Sequence, residues 1–156
     1  MNVGLSGHQK MPEAAFQYAS EAIDDYLRQH DDVTGVCSLA AGSDQLFAAK
    51  IVDSGNKLIA VIPCVGYETT FDEDGLARYR ELLAKTERTE TLDFDSPSEE
   101  AFFAAGKRVT ELSDELLAVW DGEKAQGLGG TADIVDYARS LGKRVLVFWP
   151  EGLKRQ

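Results

Sequence analysis

Leu116-Leu117-Ala118-Val119-Trp120-Asp121-Gly122, followed closely by Gly127-Leu128-Gly129-Gly130-Thr131-Ala132-Asp133, is the segment that sets the architecture of this chain. The apolar run Leu116 to Trp120 has the length and continuity of a buried strand. A helical pattern begins at Thr131, and glycines at 122, 127, 129 and 130 lie between the two. Glycine admits positive φ and lets a ligand approach the main chain closely. The helix that follows offers unpaired N–H groups and the positive end of its dipole. Strand, glycine loop and helix N-terminus together form an anion site, most often for phosphate. The same glycines would also serve a tight connection, but four of them exceed what a short connection needs.

Working outward, Val3 to Ser6 reads as a first strand. Pro12 stands at a first helical position with Glu13 in the first turn, and Phe16, Ala19, Ile23, Tyr26 and Leu27 recur at helical spacing up to His30. Val33 to Ala40 is a second strand. Ser43 is the expected N-cap of a helix reaching about Ser54. Lys57 to Cys64 is a third, continuously apolar strand of the kind covered on both faces. Residues 67–86 hold a helix with Leu76, Tyr79, Leu82 and Leu83 on one side, and Thr89 to Phe94 a short strand. Ser96 as N-cap and Pro97 as first helical residue start a helix to about Leu112. A last helix, Thr131 to Leu141, stops at Gly142 and leads into a strand from Arg144 to Trp149.

Strands alternating with helices predict an α/β fold: one Rossmann-like domain over residues 1–156, a three-layer sandwich on a mostly parallel sheet. Ligands of such sheets bind outside the C-terminal strand ends, where the strand order reverses. Three loops fall at such ends: Ser6-Gly7-His8-Gln9, Ala41-Gly42-Ser43-Asp44, and Asp121 to Asp133.

The formal net charge of −11 over 156 residues disfavours general binding of nucleic acid. A single nucleotide is still compatible, because helix ends and loop amides act at contact range. No apolar run reaches membrane-spanning length and the first residues do not read as a signal peptide, so no membrane partner and a cytoplasmic location are expected. Cys37 and Cys64 read as reduced, buried thiols. No cysteine or histidine spacing suits a metal, and none is expected.

The three loops, in this order, resemble the SLOG superfamily, the Rossmann-like group that joins the DNA-processing protein Smf/DprA with the LOG cytokinin-activating phosphoribohydrolases. The likeness is greatest to small bacterial members with a Ser-Gly-His-Arg opening, a Gly-(Ala/Ser)-Asp-Gln second loop and a Trp-Asp-Gly…Gly-Gly-Thr-Ala-Asp third loop. Here these are Ser6-Gly7-His8-Gln9, Gly42-Ser43-Asp44-Gln45 and Trp120-Asp121-Gly122…Gly129-Gly130-Thr131-Ala132-Asp133. The resemblance implies a nucleotide or nucleotide-derived ligand, with phosphate near the glycine loop and no further cofactor. It leaves the oligomeric state open, a homodimer being usual among the enzymes resembled. Gln9 stands where those sequences often carry arginine. The LOG enzymes carry a catalytic glutamate three residues after the threonine of their loop, and that position here is Ile134, which argues against LOG-type hydrolysis. Nucleoside deoxyribosyltransferases offer a related analogy and also need a carboxylate.

The expected function is therefore binding of a small nucleotide-type ligand at the C-terminal edge of the sheet. The alternative is an N-glycosidic-bond hydrolase or transferase, which needs a carboxylate at the oxocarbenium ion. A third reading is an interaction module that keeps the fold without the ligand. Backbone amides of Gly129, Gly130 and Thr131 would hold phosphate. Asp121 and Asp133 would take sugar hydroxyls, or else cap the loop and complement the helix dipole. Asp133 is the weak catalytic candidate. Ser6, Gly7 and His8, the last able to stack on a base or donate to phosphate, complete the site with Gly42, Ser43, Asp44 and Gly122. Ser43 lacks a neighbouring base and reads as a cap rather than a nucleophile. His30, Arg78 and Arg80 read as helix surface, and Trp120 and Trp149 as core.

Overall fold

Six short segments pair in parallel because most of them bury both faces. In the computed structural model, which describes residues 1–124 and 130–154, the strands are β1 (Asn2–Gly7), β2 (Thr34–Cys37), β3 (Lys57–Ile62), β4 (Arg88–Thr91), β5 (Glu115–Val119) and β6 (Arg144–Val147). Their order is β4-β3-β2-β1-β5-β6 and every pairing is parallel. β5 is buried throughout and β3 at every residue but Lys57. Side chains alternate across the sheet: Leu5, Cys37, Ala60 and Leu117 face one layer, and Val36, Ile59, Val61 and Leu116 the other.

Helices α1 (Glu13–Gln29), α2 (Ser43–Asp53) and α3 (Glu73–Leu83) supply the first layer through Ile23, Phe47, Ile51 and Tyr79. Helices α4 (Glu99–Leu112) and α5 (Thr131–Ser140) supply the second through Ala105, Val109, Ile134 and Ala138. The Rossmann-like α/β sandwich expected from the alternation is thus present. After β4 the chain crosses back over the sheet and enters on the far side of β1. The strand order reverses between β1 and β5, which places the ligand-binding crevice of this architecture outside Gly7 and Val119.

Several local expectations shift. Helix α4 is capped by Ser98, not Ser96: the Ser98 side chain accepts from Ala101 N at 3.0 Å, leaving Pro97 before the cap and both Glu99 and Glu100 in the first turn. Ser43 is the first residue of α2 rather than its N-cap, because Gly42, at φ +82°, makes the turn. β2 ends at Cys37 instead of Ala40, since Leu39 takes φ +59° and leaves the strand direction. The 67–86 segment divides into a 3₁₀ turn, Tyr67–Thr70, and α3, with Asp72 capping α3 by accepting from Gly75 N. Phe16 is exposed, and Ala15 takes its place against the core. Cys37 and Cys64 are buried free thiols, as expected. No helix among the described residues is long and apolar enough to cross a membrane.

Candidate functional site

The C-terminal edge of the sheet opens into a cleft of about 770 Å³, within the range of small-molecule sites. All three sequence motifs reach this edge. Ser6, Gly7, His8, Asp44, Gly130 and Thr131 line the cleft. Gly42, Ser43, Asp121, Gly122 and Asp133 do not line it. Gly127 and Gly129 lie outside the described residues.

Two residues of the second motif, Gly42 and Ser43, join it to the first, and the next two, Asp44 and Gln45, hold the loop between β2 and α2. A Cβ on Gly42 would stand 2.2 Å from the carbonyl oxygen of Gln9, so only glycine lets the two loops pass. Ser43 donates to the His8 carbonyl oxygen from both Oγ (2.9 Å) and its backbone N (3.3 Å). The Asp44 carboxylate accepts from the backbone N of Ser38 (3.2 Å) and Ala40 (3.3 Å), both through Oδ2. Gln45 donates to the carbonyl oxygens of Leu39 and Gly75. Leu39, between the two amides that Asp44 collects, holds its positive φ in the middle of this nest. Backbone strain of about 1–3 kcal/mol persists only where the surroundings over-determine it, and Asp44 and Gln45 do that here. Burial pushes the Asp44 carboxyl up to about 7 against the lowering effect of its two amide partners. It also pushes up the Cys37 thiol and the Tyr67 hydroxyl, to whose shifts the charge of Asp44 adds.

His8 and Asp121 meet because β1 and β5 are neighbours. The His8 backbone N donates to the Val119 carbonyl oxygen at 3.1 Å, extending the strand pairing by one residue. Its Nε2 faces both the Asp121 backbone N (3.2 Å) and Asp121 Oδ1 (3.3 Å). A neutral ring accepts from that N–H, whereas an imidazolium pairs with the carboxylate. Trp149 packs edge-on against the ring at 5.4 Å. Asp121 Oδ1 also accepts from Glu123 N, which closes the turn after β5 where Gly122 has φ +86°. Trp120 is only partly buried and its Nε1 donates to the Glu123 carbonyl oxygen, so it is a cleft residue as well as a packing one.

Three helix N-termini converge on the cleft, and they are not equivalent. That of α2 is bonded through Ser43 to the His8 carbonyl oxygen, one residue beyond β1. That of α4 is capped by Ser98 and complemented by Glu99 and Glu100. That of α5 begins at Gly130, which has no side chain with which to cap it; Thr131 is its first residue and Asp133 the one acid in its first turn. Ile134, one turn further, is buried against Gly106 of α4, where a Cβ would stand 2.4 Å from Ile134 Cδ1. The cleft lining also includes Lys10, Tyr67, Phe71 and Phe102, none of them singled out from sequence. Lys10 is one residue beyond the Gln9 that replaces the expected arginine, a near miss that a wider reading of the first loop would have found.

The sheet order and the layer arrangement define a Rossmann-like α/β domain. The fold is shared with DNA processing protein A of Streptococcus pneumoniae (TM-score 0.71, 18% identity, 94% of this chain and 49% of that one). It is shared also with DNA processing protein A of Helicobacter pylori, described in its single-stranded DNA binding mode (TM-score 0.73, 17% identity, 100% and 68%). The Moco carrier protein of Chlamydomonas is a third such structure (TM-score 0.57, 17% identity, 94% and 74%). The chain spans about half the length of the pneumococcal protein. No protein-family model matches the sequence, and no curated protein matches it.

Proposed function

We propose that this chain binds a small phosphorylated, nucleotide-type ligand in the cleft between β1 and β5, with phosphate at the start of α5. The observation that carries the reading is the contrast among the three helix ends: α5 alone meets the cleft without a capping serine or a buried stitch among the described residues. Its first amides and dipole favour an anion. Lys10 and His8 line the same cleft, and Lys10 adds a cation to it. Proteins of the same fold whose names point to DNA or to the molybdenum cofactor support a ligand of this general kind.

The test is a calorimetric panel of ribose 5-phosphate, nucleosides, nucleoside mono- to triphosphates and a single-stranded oligonucleotide. A ligand at about 100 times its Kd raises stability by about 2.7 kcal/mol. Phosphorylated ligands are expected to bind and nucleosides to bind far more weakly. Lys10→Glu is expected to cost about tenfold or more in affinity, an effect that added salt reduces. Equal affinity for a nucleoside and its monophosphate would remove the phosphate site. Preference for the oligonucleotide would move the reading toward nucleic acid.

The N-glycosidase alternative requires a carboxylate beside the anomeric carbon. Ile134 fills the position at which the resemblance would place one, packed on Gly106. Chromatography of incubated nucleoside monophosphates is expected to show no free base. Base release abolished by Glu99→Gln, which alters an acid lining the cleft, would instead make the chain a glycosidase.

A further inference from the structure

At the β2–α2 side of the cleft two polar side chains are almost fully enclosed: Asp44 is 8% exposed and Tyr67 4%. Asp44 spends Oδ2 on both loop amides, and among the described residues no hydrogen bond engages its Oδ1 or the Tyr67 hydroxyl. No described side-chain nitrogen or oxygen is both sealed from solvent and without a partner. Both residues line the cleft, so it is into the cleft that these two atoms open. Phe71 and Phe102 line the same end and pack on the Tyr67 ring, with centroids 5.1 and 6.2 Å away. An acceptor oxygen, a phenol and aromatic walls together describe a slot for a flat ring with polar edges.

We propose that this end of the cleft is a base-recognition subsite in which Asp44 Oδ1 and the Tyr67 hydroxyl take the donor edge of a 2-amino-4-oxopyrimidine ring, as in guanine or a pterin, between Phe71 and Phe102. The assignment deepens the nucleotide reading above and rests on it. Oδ2 is fixed as an acceptor by two backbone N–H groups, and the carboxylate thereby presents Oδ1 in a set direction. Guanine offers adjacent ring N–H and amino groups to such an oxygen. Adenine and cytosine place an acceptor nitrogen beside their amino group, and xanthine replaces the amino group with a carbonyl; both oppose the oxygen lone pairs.

The experiment measures affinity of the full chain at about pH 8.5, where the Asp44 carboxyl is ionised and accepts, for GMP, XMP, AMP, 6-hydroxymethylpterin and ribose 5-phosphate, in the parent, Asp44→Asn and Tyr67→Phe. GMP is expected to bind at least about tenfold more tightly than XMP or AMP, the scale of a hydrogen bond to a charged group. In Asp44→Asn the side-chain carbonyl keeps the two loop amides and the amino group faces the cleft, so the preference reverses toward XMP while ribose 5-phosphate binds as before. Tyr67→Phe, which leaves the loop intact, lowers GMP affinity about fivefold. Pterin binding that exceeds GMP binding identifies the source of the ring and keeps the subsite. An unchanged GMP:XMP ratio in Asp44→Asn, or ribose 5-phosphate bound as tightly as GMP by the parent, overturns the subsite and leaves the phosphate site standing. If ribose 5-phosphate and every nucleotide fail to bind the parent, the nucleotide reading itself falls and the subsite with it.

Discussion

Between about pH 4 and pH 7.5 the folded protein is expected to lose stability relative to Asp44→Asn, and the loss should level off above that range. The Asp44 carboxyl titrates near its ordinary value of 3.8 when the chain is unfolded and at about 7 when it is folded. In that window the native state keeps a proton that the unfolded state has released. Stability therefore falls as pH rises. Three pH decades at about 1.4 kcal/mol each give an upper bound of about 4 kcal/mol. The comparison must be made against Asn, because the net charge of −11 also disfavours the compact state as the other carboxyls ionise. Glu90 works the other way, its carboxyl lowered chiefly by the hydrogen bond from Arg108. Asn at position 44 can still accept from Ser38 and Ala40 but has nothing to titrate. Urea unfolding at about pH 4, 6 and 8 should show the two proteins diverging by about 2 kcal/mol or more toward high pH. Parallel profiles would mean that the nest holds an ordinary ionised carboxylate.

The architecture was legible because its signals are local and repeated. Continuous apolar runs such as Leu58–Ile62 and Leu116–Val119 mark strands covered on both faces, and each is followed by a helical period. The converging edge also followed, since parallel strands put every strand-to-helix loop on one side. What sequence could not supply was adjacency. His8 and Asp121 are 113 residues apart and meet only because the chain crosses over after β4, which no local pattern announces. Sequence makes Asp44 a site candidate but says nothing of its enclosure, because it lies in a first helical turn, a place where acids are ordinarily solvated. Its burial depends on the left-handed bend at Leu39, a conformation that leucine does not advertise. Tyr67, Phe71 and Phe102 carry the same periodic signature as core residues, and hydrophobic pattern alone cannot separate a cleft wall from a packed interior. Ser43 departs from its expected capping position for a related reason. Gly42 already provides the entry turn, which frees the serine hydroxyl to reach across to His8.

Replacing Gly42 by alanine is expected to be strongly destabilising, and Gly55→Ala shows why. Both glycines have positive φ, +82° and +79°. The conformational cost of a side chain in such backbone is of order 1–3 kcal/mol at each. Around Gly55 a Cβ would meet nothing within 4 Å, so that cost is the whole effect. At Gly42 the added carbon would also lie 2.2 Å from Gln9 O and 2.7 Å from Gln9 Cα, both backbone atoms that no rotamer change can move aside. The first loop must shift, and overpacking adds about 1–3 kcal/mol more. A total loss of about 3 kcal/mol or more corresponds to a fall in Tm of about 6–12 °C for a domain of this size. Because the displaced residues include the His8 carbonyl that Ser43 grips, ligand binding should weaken beyond what the stability change accounts for. Calorimetry of the two variants side by side reads the difference. Equal Tm values would show that the loops do not need this close approach, and the second motif would lose its role in shaping the cleft.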